Sequence, residues 1–449
     1  MTAAELRRAY ETGERSPVEV AREHLERLEQ MEAELNAFVT VTPELALEGA
    51  AAAERAYADG TAGRLAGIPA TIKDLVQLAG VRCTMGSAVH AERVSSADDP
   101  LAARIRAAGA VILGKTTTPE YGWKGETTSP VTGSTVNPWR RGLTPGGSSG
   151  GAAAAAAAGV GVVHQGGDGA GSIRIPSSFS GVFGIKPTTG TVPQPTNSGL
   201  SSQGPIARTV DDAALLLEVM GQVRVREGLE DGIDGLRAAW SGDLGYAAVD
   251  PAVRDLAESA AVRFRELGCA VEQRDPGLPD PWPVVEVIWA WSQSRGEDQR
   301  TLELADPGRR AVIERGWSLT EAEHERAQDE RRAYCERMEA FFDDVDLLLT
   351  PTLPVTAFPA GRDQPGEVAG RPTEYLSWTA FTYPFNVSSQ PAASVPCGML
   401  DGLPVGLQIV GPRGADALVL RAARAFEQLQ PWSYDGLDLV STASMESTI

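Results

Sequence analysis

At 449 residues the chain is long enough for two or three domains or one large α/β domain, and its 42% apolar and 22% charged residues are an ordinary globular composition. No run approaches the roughly eighteen consecutive apolar residues of a membrane span. The formal net charge of −20 disfavours nucleic acid or an anionic membrane as a partner, since both call for a basic patch, and otherwise reads as solubility.

The N-terminus, MTAAELRRAYETGERSPVEV, is charged throughout and lacks the apolar segment of a signal peptide. Cys83, Cys269, Cys335 and Cys397 lie far apart without a CxxC, which reads as free thiols in a cytoplasmic protein. His24 and His324 fall in charged helical stretches and are expected to be solvated. No metal-ligand spacing occurs, so neither metal nor cofactor is expected.

In chain order, Thr2-x-x-Glu5 and Ser16-Pro17-x-Glu19 fit capping boxes, and residues 1–58 read as amphipathic helices. From 59 to 221 short apolar runs alternate with helical patterns and glycine turns (GIPATIKDL, DPLAARIRAAGAVILGKT, GAAAAAAAGVGVVHQ). That is the texture of βαβ units in an α/β core, a large mixed, mostly parallel twisted sheet with helices on both faces. The alanine run 152–158 predicts a slim helix lying close against the sheet. Residues 222–345 are charged and helical in pattern and read as an insertion or cap. Strand character returns over 346–436 at DLLLTPTLPV and LPVGLQIVGP, and 437–449 reads as a frayed tail.

Gly109-Ala-Val-Ile-Leu-Gly114-Lys115-Thr116 fits the spacing of a phosphate-binding loop. Its four central residues are those of a buried strand, however, and Pro119 interrupts the helix that should follow. A nucleotide-binding protein is the rival class this match leaves. His164 and Asp168 precede Ser172 closely, but His164 ends an apolar run and reads as a packed strand residue; Gly171-Ser172-Ile173-Arg174 is also no nucleophile elbow. Lys73 ends the apolar strand pattern of GIPATIKDL. Burial there would lower its pKa and leave an amine able to take a proton, although a lysine at a strand end commonly reaches water. The cluster TPGGSSGG (144–151) precedes the alanine helix, and Ser148 lies one helix and one strand ahead of Ser172. That spacing can return both serines to one sheet edge.

GGSSGG, then GDGAGSIRIP and GIKPTTG, resemble the amidase signature family, and GIPATIKDL, GPIARTVDDAALLLEVM, DLLLTPTLP and PFNVSSQPAASVPCGMLDGLPVGLQIVGPRGAD extend the likeness over most of the chain. The resemblance implies a Ser–cis-Ser–Lys triad. Ser172 is then the acyl nucleophile, and Ser148, across a cis peptide from Gly147, relays its proton to Lys73. The N–H groups of Gly169, Ala170, Gly171 and Ser172 form the oxyanion hole, and Ser149, Asp168 and Arg174 brace the loops. Against the family pattern, Gly167 stands for a threonine, Ala170 and Ser389 for glycines, and Thr117 for an asparagine. The likeness is nearest the branch of aryl acylamidases, cyclic nylon-oligomer hydrolases and urethanases. The substrate it implies is a small-molecule amide, carbamate or ester, cleaved with water by a monomer or homodimer, with esterase activity on the side. The alternatives are the catalytic subunit of a tRNA-dependent amidotransferase, from whose usual GGSIRQP the chain departs at Ile175, and a catalytically dead binding protein of the same fold. The aromatics Trp289, Trp291, Trp378, Phe381, Tyr383 and Phe385 read equally as a bulky apolar pocket or as core.

Overall fold

Strands and helices alternate through the computed structural model, which describes residues 1–194 and 199–437. Residues 438–449, nearly all of the expected tail, lie outside the described residues. The strands are β1 (Phe38–Val41), β2 (Pro69–Lys73), β3 (Val111–Thr116), β4 (Thr128–Ser129), β5 (Gly133–Ser134), β6 (Val163–Asp168), β7 (Phe183–Lys186), β8 (Ser202–Ala207), β9 (Arg237–Trp240), β10 (Ala270–Gln273), β11 (Leu347–Pro351), β12 (Glu367–Val368), β13 (Arg371–Pro372), β14 (Ala392–Leu400) and β15 (Leu403–Val410). β4–β5 and β12–β13 are small hairpins. The others form one 11-stranded sheet in the order β1-β3-β2-β6-β8-β7-β14-β15-β11-β9-β10.

The sheet is mixed, as expected, but not mostly parallel. β2–β3, β2–β6, β9–β10 and β9–β11 run parallel, whereas β1–β3, β6–β8, β7–β8, β7–β14, β14–β15 and β11–β15 run antiparallel. The physical reason is the middle of the sheet, where β8 and the β14–β15 hairpin return directly instead of through helical crossovers.

Alternation along β3 shows how both faces are covered. Ile112 joins the cluster that holds the helix Val210–Gly221, while Val111 and Leu113 join the opposite cluster with Ala154, Ala155 and Ala158. The alanine run forms the helix Gly150–Ala158, buried all round. Its other side, Ala152, Ala153, Ala156 and Ala157, meets Ile173, Val182 and Ile206. Only a helix almost without side chains fits between two packed layers in this way.

Both N-terminal capping boxes form, on the helices Ala3–Thr12 and Pro17–Leu35. Two segment expectations need correction. Residues 1–58 are not wholly helical, because Phe-Val-Thr-Val pairs with β3 as strand β1. Nor is 222–345 a purely helical cap, because β9 and β10 extend the sheet edge and only the helices from Trp282 to Phe341 flank the site.

The likeness to a phosphate loop is resolved by β3, in which Val111–Thr116 is buried throughout and Lys115 pairs with Asp74 at 2.9 Å.

Candidate active site

β2 and β6 are parallel neighbours, and their carboxyl ends carry Lys73 and Asp168 to the same sheet edge. Open α/β sheets commonly bind ligands there. The loop before the helix Gly150–Ala158 delivers Ser148 and Ser149, and the loop after β6 delivers Ser172. The two loops are tied by Ser149 N–H donating to the Ser172 carbonyl at 3.1 Å. The Gly147–Ser148 peptide is cis, as the family resemblance implies. A Cβ on Gly147 would lie 2.6 Å from the Glu126 carbonyl oxygen, so the backbones meet too closely for any side chain there.

Lys73 is 1% exposed and donates from Nζ to Ser148 Oγ at 2.7 Å and to Ser149 Oγ at 2.9 Å. Burial lowers its pKa from 10.5 to about 7, and the nearby Asp168 carboxylate offsets part of that fall. The amine is therefore balanced between its charged and neutral forms near neutrality. The backbone N–H of Lys73 donates to Gln165 Oε1, and Gln165 Nε2 donates to Gln203 Oε1, fixing the end of the strand. Neither glutamine was singled out from the sequence; only their place on adjacent strands reveals them.

Lys73, Ser148 and Ser172 line one cavity of about 650 Å³. Ser172 is 7% exposed. Among the described residues no hydrogen bond joins its Oγ to Ser148. Gly167, Asp168 and Gly169 share the wall.

The glycine loop is organised by Asp168. Its carboxylate accepts the N–H groups of Gly171 (2.7 Å) and Ile173 (3.1 Å), and it forms a buried ion pair with Arg174 at 2.9 Å. Asn386 Nδ2 adds a further bond, and its Oδ1 accepts from Arg174 Nη2. Burial alone would raise the Asp168 pKa. Arg174 and Asn386 outweigh it and hold the carboxyl well below the usual range.

The oxyanion expectation is accordingly corrected at Gly171, whose N–H is already committed to Asp168. Among the described residues the N–H groups of Gly169, Ala170 and Ser172 have no protein acceptor. Ala170 is not among the residues with positive φ, so its Cβ is accommodated without strain. Ser389, by contrast, adopts φ 68°, the left-handed conformation that explains the glycine usual there.

The aromatic residues divide between the two readings. Trp289 and Trp291 line the cavity together with Tyr121. Trp378, Phe381, Tyr383 and Phe385 are core, with Trp378 stacked on Phe179. His164 is buried and bonded through Nδ1 to Thr71 Oγ1 at 2.9 Å, and burial lowers its pKa to about 3. It is the packed strand residue expected. His324 is not simply solvated; it stacks on Trp291 with ring centroids 4.7 Å apart and lines the cavity. His24 is half-buried and accepts the Gly161 N–H. All four cysteines are free, and no helix among the described residues is long and apolar enough to cross a membrane.

Comparison with known proteins agrees with this geometry. The family model described as Amidase matches residues 19–420. An acylamidase of Rhodococcus erythropolis is 36% identical over 467 residues, covering 96% of each chain. The A chain of the glutamyl-tRNA(Gln) amidotransferase of Methylococcus capsulatus is 33% identical over 478 residues, covering 96% of this chain and 97% of its own. Among solved structures, a bacterial aryl acylamidase superposes with a TM-score of 0.90 at 32% identity, covering 97% of this chain and 98% of its own. The chain belongs to the amidase signature family and is an amide-hydrolysing enzyme.

Proposed function

We propose that the enzyme cleaves medium-sized amides, anilides or carbamates through a Ser172 acyl intermediate, with Ser148 and Lys73 moving the proton. The observation that carries this reading is the 2.7 Å contact of Lys73 Nζ with Ser148 Oγ beside Ser172. Ser172 Oγ attacks the carbonyl carbon while its proton passes to Ser148 Oγ and the Ser148 proton passes to neutral Lys73. The amides of Gly169, Ala170 and Ser172 receive the developing oxyanion, where each donor is worth roughly 3 kcal/mol. As the C–N bond breaks, Ser148 protonates the leaving amine and recovers a proton from Lys73. Water then releases the acyl group by the same relay. Ser149, whose Oγ accepts from Lys73 Nζ, holds the base in place, and the Asp168–Arg174 pair positions the loop.

Trp289, Trp291, Tyr121, Ile288 and Leu75 give the cavity an aromatic and apolar wall, which supports a bulky aryl or acyl group over a bare primary amide. Esters fit the same acyl chemistry. The rival reading is the catalytic subunit of an amidotransferase, which hydrolyses glutamine. The test is a panel of anilide, primary amide, ester, carbamate and glutamine, with amine and ammonia detected separately. The expected result is amine release from the anilide or carbamate, lost by about a thousandfold or more in Ser172→Ala. Full hydrolysis by Ser172→Ala would overturn the nucleophile, and ammonia from glutamine alone would favour the amidotransferase.

A further inference from the structure

A second cavity, of about 540 Å³, lies behind the catalytic one, and Trp289 lines both. Trp289 Nε1 donates to Tyr375 Oη at 2.7 Å, and Tyr375 Oη donates to the Trp123 carbonyl. Tyr375 stacks on Trp123 with centroids 5.5 Å apart and meets Trp282 edge-on at 6.1 Å. The wall is therefore built of electron-rich rings held in place by one another.

The charge on the rim of this cavity is negative. Glu286 is paired with Arg315 at 2.7 Å, and Asp363 with Lys124 at 2.7 Å. Glu374 also lines the cavity, is exposed, and has no ion pair among the described residues. The protein already sets one ammonium against this wall: Lys124 Nζ lies 5.1 Å from the Trp123 ring centroid. The catalytic cavity carries the opposite sign at its mouth. Arg295 lies over Trp291 at 3.7 Å with no carboxylate partner among the described residues.

We propose that the second cavity is a binding site for a monovalent organic ammonium, its aromatic or alkyl body packed on Trp282 and Tyr375, which the buried Trp123 backs, and its charge facing Glu374. The cation is drawn to this chamber rather than the catalytic one because Glu374 is unneutralised here and Arg295 repels it there. The site also touches the reaction centre. A Cβ on Gly169 would lie 2.6 Å from the Trp289 ring, so whatever packs on Trp289 from behind presses toward the glycine loop.

Benzyltrimethylammonium, whose charge is fixed, is the probe, and benzyl alcohol is its neutral counterpart. Binding to the full chain is followed by calorimetry and tryptophan fluorescence. The expected result is saturable one-to-one binding, weaker by about tenfold in Trp282→Ala and by at least about threefold in Glu374→Gln, and unchanged in Trp291→Ala. Glu374→Gln removes only a surface charge, so it decides the matter even where Trp282→Ala does not fold. Benzyl alcohol binding as tightly would overturn the charge recognition. Loss in Trp291→Ala with retention in Trp282→Ala would place the cation in the catalytic cavity and overturn the site. Absence of saturation at millimolar probe would overturn it outright. None of these outcomes depends on Ser172 chemistry.

Discussion

Replacing Lys73 with methionine should abolish hydrolysis and yet stabilise the protein in acid. The fall in pKa from 10.5 to about 7 corresponds to roughly 5 kcal/mol of differential interaction between the charged and neutral amine. Below pH 7 the lysine is charged in both the folded and the unfolded chain, and the whole penalty for burying that charge is in place. Between 7 and 10.5 the folded amine is neutral while the unfolded one remains charged. Unfolding then takes up a proton, and stability rises with pH. Above 10.5 both forms are neutral and the penalty is gone. Methionine, of similar length, escapes it but loses the bonds to Ser148 and Ser149, about 1 kcal/mol each. Lys73→Met should accordingly be more stable than the native chain by about 3 kcal/mol at about pH 6 and less stable by about 1 kcal/mol at about pH 10. Urea unfolding at the two pH values measures this. On the proposed relay the same titration sets the rate. With the amine titrating near 7, about a tenth of it is neutral at pH 6 and about nine tenths at pH 8. kcat/KM of the native enzyme should rise along one limb centred near 7. A stability difference that does not change with pH, or a rate profile flat through neutrality, would refute the assignment of Lys73 as base.

Asp168→Asn keeps the shape of the side chain but leaves the fully buried Arg174 guanidinium without its counter-charge. A loss of about 3 to 5 kcal/mol is expected in urea unfolding, and a loss below 1 kcal/mol would contradict the role given to the pair. Gly171→Ala would place a Cβ 2.4 Å from Thr382 Oγ1 at a φ of 123°. It should cost about 1 to 3 kcal/mol and displace Ser172, seen as a fall in Tm together with a fall in kcat.

What was legible in the sequence was legible for local reasons. Lys73 stood out because an apolar strand ended in a charged residue, and the alanine helix because no other sequence packs so thinly. Spacing allowed the two serines to meet, since one helix out and one strand back can return a chain to the sheet edge it left, but it was the family resemblance that paired them. Gly171 was misjudged because a glycine-rich loop looks like a row of free donors. Whether a given N–H faces substrate or an aspartate depends on Asp168, and the direction of Asp168 is set by Arg174, Asn386 and the distant strand that carries Gln408. The direction of strand pairing was misjudged for a related reason. Local pattern shows that β7, β8, β14 and β15 are strands, but their order comes from pairing between residues far apart, such as Ala392 with Lys186. The same limit hid the division of the aromatics. Trp289 and Trp378 look alike in sequence, but one borders the catalytic cavity and the other stacks inside the core on Phe179. The helix that carries Trp289 lies in the segment that reads from the sequence only as an insertion or cap. The aromatic cavity wall is therefore built where the sequence was least readable, while Lys73, Ser148 and Ser172 sit where three short motifs state them almost completely.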